Sequence, residues 1–116
     1  MEVVLFKSRF REGLAPETLA EYRADLERMV ALADGFAGFL SRKSYTAEDG
    51  ERMTVVTFEN EQAMQAWRNH PEHRAAQRKA REKYYAEYSV QAGTVARAYQ
   101  WSLEAPAQAT PRGAAE

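Results

Sequence analysis

The chain has 116 residues, 45% of them hydrophobic and 28% charged, which is enough for one domain with a modest core and too little for two. Its formal net charge of -1 provides no global pull toward nucleic acid or an acidic membrane. The lack of cysteine excludes disulfides, thiolate nucleophiles and sulfur-ligated metals.

Residues 3–10, Val-Val-Leu-Phe-Lys-Ser-Arg-Phe, are β-branched and aromatic and predict a first strand ending before Glu12-Gly13. Alternation puts Val4, Phe6, Ser8 and Phe10 on one face and Val3, Leu5, Lys7 and Arg9 on the other. A strand apolar on both faces is covered on both faces. Lys7 and Arg9 also interrupt the run before it could serve as a signal peptide. No stretch approaches the roughly 20 apolar residues of a membrane span, so a cytoplasmic location is expected.

Pro16 opens a helix in which Leu19, Tyr22, Leu26, Met29, Val30 and Ala33 recur at helical spacing, and Gly35 ends it. A strand is predicted from Phe36 to Thr46, returned by the turn signal Glu48-Asp49-Gly50 into a strand from Arg52 to Glu59. Asn60 is suited to cap a short helix through Met64 and Trp67. Proline tolerates a first helical turn and Glu72 favours the positive end of the helix dipole, so a second helix starts near His70-Pro71. Its period extends to about Gln91-Ala92-Gly93. Residues 94–103 alternate as a last strand, and 104–116, with Pro106, Pro111, Gly113 and many Ala, read as a flexible tail after a domain of residues 1–103.

The order strand, helix, strand, strand, helix, strand is the split βαβ pattern of an α+β, ferredoxin-like antiparallel sheet. Helices on one side leave a face of Val, Leu and aromatic side chains larger than a monomer tolerates, which predicts a two-fold homodimer through the sheets.

The helix after Pro71 carries His73, Gln77, Ala80, Tyr84 and Tyr88 on one stripe. Such a stripe is either a core face with polar tips reaching partners or the wall of a small-molecule pocket, with Ala80 leaving room for a ligand. Between Trp67 and Tyr88 six Arg or Lys face three Glu, the ordinary pattern of a solvated helix with a residual preference for anions. Phosphate loops, zinc boxes and nucleophile elbows are absent from the sequence, and His70 with His73 lacks carboxylates placed to complete a metal site.

Gly35-Phe36-Ala37-Gly38-Phe39, Val56-Thr57-Phe58-Glu59-Asn60 and Trp67-Arg68-Asn69-His70-Pro71-Glu72-His73 followed by Gln77 together resemble the antibiotic biosynthesis monooxygenase family. The resemblance spans residues 1–103 and implies a small dimeric α/β barrel. In different branches it implies cofactor-free oxygenation of aromatic polyketides, quinol oxidation or haem degradation. The haem-degrading branch is similar in carrying a Trp that matches Trp67. Its first-strand Asn falls nearest Ser8 and its haem-ligating His falls at Gln77, where an amide is a poor axial ligand. His73, one turn earlier, is the residue left to substitute.

Cofactor-free oxygenation needs a base of near-neutral pKa, for which His73 is the candidate, with Trp67 beside it. Tyr84 and Trp67 would stack on an aromatic ring, Gln77 and Ser8 would hydrogen-bond its oxygens, and Tyr88 would extend the wall. Arg9 and Arg97 rank lower as anion stabilisers because they fall on the face away from Ser8. The expected partners are a second copy of the chain and a small aromatic molecule, with neither nucleic acid nor membrane.

Overall fold

The computed structural model describes residues 1–104; most of the predicted tail, from 105 to 116, lies outside the described residues. The elements are β1 (Glu2–Phe10), α1 (Pro16–Asp34), β2 (Phe39–Thr46), β3 (Arg52–Phe58), α2 (Glu61–Arg68), α3 (Pro71–Lys83) and β4 (Tyr85–Thr94). They form one antiparallel sheet of order β2-β3-β1-β4, the ferredoxin-like arrangement.

Local chemistry sets most boundaries. Pro16 occupies the first turn of α1, and Gly35 ends it with its backbone N–H on the Ala33 carbonyl. Asn60 caps α2 by accepting the Ala63 N–H at 2.9 Å. His70 caps α3, its Nδ1 accepting the Glu72 N–H at 3.1 Å, and Pro71 follows where no N–H is needed. Arg81 and Lys83 sit in the last turn of α3, at the negative end of its dipole.

β2 begins at Phe39, later than expected, because Phe36 to Gly38 form a turn closed by the Phe39 N–H on the Phe36 carbonyl at 3.1 Å. Gly38 is required there twice over. Its φ is 86°, and a Cβ would collide with the Ala63 side chain at the start of α2.

The largest departure lies in the last third. α3 stops at Lys83, and β4 starts at Tyr85, where the helical period was expected to run on. Tyr88 therefore stands on a strand, opposite Ser8 of β1, and leaves the helical stripe. The run Tyr84 to Val90 satisfies both periods locally, and pairing with the full length of β1 decides between them. The strand expected at 94–103 is not formed. Because β4 runs antiparallel to β1, its pairing reaches Glu2 at Thr94 and ends with the Val95 N–H on the Met1 carbonyl at 2.9 Å.

The helices cover the sheet face that carries Val4, Phe6, Thr54, Val56 and Phe58, all of which meet helix residues around one cavity. Phe58 and Tyr84 are the largest fully buried side chains, and Ala33, Ala63 and Ala80 give each helix one buried small residue for close approach. On the opposite face, Val3, Leu5, Met53 and Val55 are only half-buried.

Candidate functional site

Between the helices and the sheet lies a cavity of about 560 Å³, within the usual range for small-molecule sites. Trp67, His73, Gln77, Tyr84 and Tyr88 all line it. Five of the six residues singled out from sequence therefore converge on one space, four from α2, α3 and the residue that ends α3, and Tyr88 from β4.

The α2–α3 corner builds the aromatic end. α2 stops at Arg68 and α3 restarts at Pro71, so the chain turns sharply enough for Trp67 to meet His73 with ring centres 4.7 Å apart. Phe36 packs edge-on against Trp67 at 5.4 Å and against His70 at 6.0 Å. With Nδ1 of His70 already accepting at the cap, His73 is the imidazole on the cavity wall.

His73 is half-buried, and its Nδ1 is enclosed without a hydrogen-bond partner among the described residues. Burial pushes its pKa below the ordinary 6.5; the backbone carbonyls of Arg68 and Trp67 oppose this and the neighbouring His70 adds to it. The ring is consequently neutral at pH 7 and able to accept a proton.

One turn on, Gln77 presents its amide to the cavity. An amide where a haem-degrading site needs an imidazole does not fit axial ligation at that position. Among the described residues no group of three or more His, Cys, Asp or Glu could hold a metal ion.

Tyr84 is 1% exposed, and its hydroxyl donates to Asp25 Oδ2 at 2.6 Å. Burial, reinforced by that carboxylate, pushes its pKa up to about 12, so it remains a phenol. Burial alone would raise the Asp25 pKa, but hydrogen bonds from Tyr84 and Lys79 outweigh it and hold the group below its ordinary value. Lys79 spans Asp25 at 2.9 Å and Glu21 at 2.8 Å; hydrogen bonds from Lys79 and Lys83 bring Glu21 to about 2. Tyr88 stacks on Phe6 at 5.2 Å, and its hydroxyl accepts from Arg81 at 2.8 Å.

Ser8 is the exception. It is 7% exposed, on the expected face of β1, yet it does not line the cavity. Its neighbours Tyr85 and Tyr88 do, and the Ser8 hydroxyl acts on the Tyr85 phenol, whose pKa burial drives far above the ordinary 10. Arg9 is tied to Asp49 at 2.7 Å and Glu87 at 3.4 Å, and neither it nor Arg97 reaches the wall.

Sequence reasoning missed Asp25, Arg42, Tyr85 and Arg68, which also line the cavity. Asp25 had a usable signal: it stands three residues after Tyr22 and four before Met29, a charge on an otherwise apolar stripe. Arg42 falls two residues from Ser44 and opposite Val56, an inward position of an edge strand.

The antiparallel sheet with its helices on one face and an aromatic cavity between them defines a ferredoxin-like α+β domain. Within that class, residues 1–79 match the family model described as antibiotic biosynthesis monooxygenase, and the chain belongs to that family. It is 40% identical over 76 residues to YqjZ of Bacillus subtilis (strain 168), a protein described as uncharacterized, covering 66% of this chain and 67% of that one. In fold it is similar to Rv0793 from Mycobacterium tuberculosis, with a TM-score of 0.68 and 18% identity over 84% of this chain and 96% of that one. It is similar also to a Deinococcus radiodurans protein whose name places it among antibiotic biosynthesis monooxygenases, with a TM-score of 0.71 and 14% identity over 88% and 99%. None of the helices in the described residues is long and apolar enough to cross a membrane.

Proposed function

We propose that the protein is a monooxygenase that oxidises an aromatic, quinol-like small molecule in the cavity, with His73 as its general base and without a metal or flavin. The observation that carries this reading is the His73 imidazole on the cavity wall, tilted against Trp67 with ring centres 4.7 Å apart and its pKa held below 6.5 by burial.

In this reading the substrate ring lies against Trp67 and Tyr88, and Gln77 hydrogen-bonds one of its oxygens. His73 takes the proton from an activated ring CH2 or phenol, leaving an electron-rich anion. Dioxygen then accepts electrons from that anion. For a ring CH2, or for the O–H and para C–H of a phenol that becomes a quinone, one oxygen atom becomes a carbonyl oxygen of the product, and the other leaves as water with the two hydrogens. The apolar and aromatic part of the wall reduces the contact of the anion with water. Tyr84 stays protonated and acts through position, since its hydroxyl is held by Asp25.

Oxygen uptake with a panel of hydroquinones and anthrones tests this. Wild type is expected to consume oxygen, and His73→Ala to lose roughly 10²–10⁴-fold in rate, the usual contribution of a positioned base. Substrate binding without oxygen consumption by the wild type would overturn the catalytic reading and leave a binding protein.

The working unit in this proposal is a homodimer through the sheet faces, forming an α/β barrel. Val3, Leu5, Met53 and Val55 lie on the face without helices, and Tyr99, Trp101 and Leu103 are 52%, 63% and 78% exposed beyond the sheet. The radius of gyration of 16.7 Å exceeds the roughly 13 Å of a compact chain this long, as an arm waiting for a partner would produce. Sedimentation at micromolar concentration should give twice the 13.2 kDa of the chain, and a 13.2 kDa species would rule the dimer out.

A further inference from the structure

The cavity wall carries charge that nothing in the described protein neutralises. Its ionised side chains are Asp25, Arg42 and Arg68. Asp25 is already compensated by Lys79 at 2.9 Å, so the two guanidiniums leave the wall net positive. Arg68 is exposed at the end of α2, where its charge suits the helix dipole. Arg42 has no such explanation. It is half-buried, it rises from the helix-facing side of β2, and its one polar contact to a described residue is a 3.2 Å donation to Ser44 Oγ. That oxygen is itself shared with Thr54 Oγ1 at 2.7 Å, and Thr54 also lines the cavity. Among the described residues most of Arg42's five donors thus have no acceptor, and no carboxylate lies within ion-pair distance.

A guanidinium beside an apolar, aromatic hollow, with its planar fork free, is a receptor for a planar anion. We infer that Arg42 is the anion-binding residue of this cavity and that its guest is an aromatic acid, whose carboxylate pairs with the guanidinium at the β2 edge while its rings occupy the aromatic space. This deepens the catalytic reading by naming the substrate class, and it rests on that reading only for the cavity that both use. The acid group fixes which end of the guest faces β2, and therefore which ring position is presented to the helices. Arg42 in this role is a binding and orienting residue; the proton transfer belongs to His73.

Inward charge on an edge strand has a second use, to discourage sheet-to-sheet association. Lys43, the next residue, already puts a charge on the outer face of β2. The two roles predict different things.

The test is a binding titration that needs no turnover. The full chain is titrated at pH 7.5 by calorimetry with 2-naphthoate and with its neutral counterpart 2-naphthamide, using wild type, Arg42→Gln and Arg42→Lys. Wild type should bind the acid about 10-fold more tightly or better, as a charge-assisted hydrogen-bonded pair does. Arg42→Gln should abolish that preference and bind the amide as wild type does, and Arg42→Lys should restore part of it, since the charge returns without the fork. Equal binding of acid and amide by wild type, or binding of neither, overturns the proposal; so would a carboxylate of a second copy that already occupied Arg42. A preference that survives in folded Arg42→Gln overturns the assignment to Arg42. Aggregation of Arg42→Gln with an unchanged acid preference in the remaining soluble protein would leave Arg42 as an edge guard and overturn it as well. The acid preference is read without oxygen, so loss of oxygen uptake and loss of acid binding are separate results.

Discussion

Two polar clusters share one cavity and are treated oppositely by the fold. At the α1–α3 contact every group is paired: Tyr84 donates to Asp25, Lys79 spans Asp25 and Glu21, and Lys83 reaches Glu21 at 2.7 Å. At the α2–α3 corner the His73 imidazole lines the wall, and its enclosed Nδ1 has no hydrogen-bond partner among the described residues. A fully satisfied buried network holds elements together, whereas an unsatisfied buried atom is tolerated where something else binds it. In the proposed reading the first cluster serves stability and the second chemistry.

The strongest way to break this contrast is His73→Leu. It removes the unpaired atom and keeps an apolar side chain, so oxygen uptake should fall roughly 10²–10⁴-fold while the urea midpoint stays where it was or rises. A variant that lost both stability and activity together would place His73 with the structural cluster instead.

Tyr84→Phe probes the other side. It strips one hydrogen bond from the Asp25 carboxylate and should cost about 1–3 kcal/mol in urea unfolding. A cost near zero would mean that the network does not brace the two helices.

A pH series separates the clusters with the smallest effects. The folded pKa of His73 lies below 6.5, so the unfolded chain binds its proton first. Its contribution to stability is complete above pH 6.5 and declines as pH falls through the lowered value, and the acid limb of kcat/KM should have its midpoint below 6.5. Asp25 is also held below its ordinary 3.8, and Glu21 is lowered from 4.5 to about 2, so their contribution is complete above about 4.5 and lost at more acid pH. The two declines should appear as distinct windows in unfolding free energy, and the Glu21 share should shrink in 1 M salt because that pair is exposed. An activity midpoint above 6.5 would contradict a buried neutral base.

Several of these features were legible in the chain before any coordinates. Pro71 marked the restart of the helix, Asn60 marked a cap, and His73 and Gln77 one turn apart marked a half-polar face that suited a core or a pocket wall alike. Tyr88 was placed on the correct wall by the wrong element, because a residue four after Tyr84 and two before Val90 obeys helix and strand periods alike. Ser8 had the correct face of β1 but the wrong depth. Alternation reports which side of a sheet a residue is on, and it carries no information about what stands between that residue and a cavity.

Local chemistry, then, was enough for the element order, the helix starts and the fold class, because caps, prolines and hydrophobic periods act over a few residues. The length of α3, the start of β4 and the meeting of Arg42 with the aromatic wall were settled only by pairing and packing between distant segments. Where β4 starts is set by its pairing with β1, and which charges find partners is set by which helices lie side by side. Those are distances in space, and no window of sequence contains them.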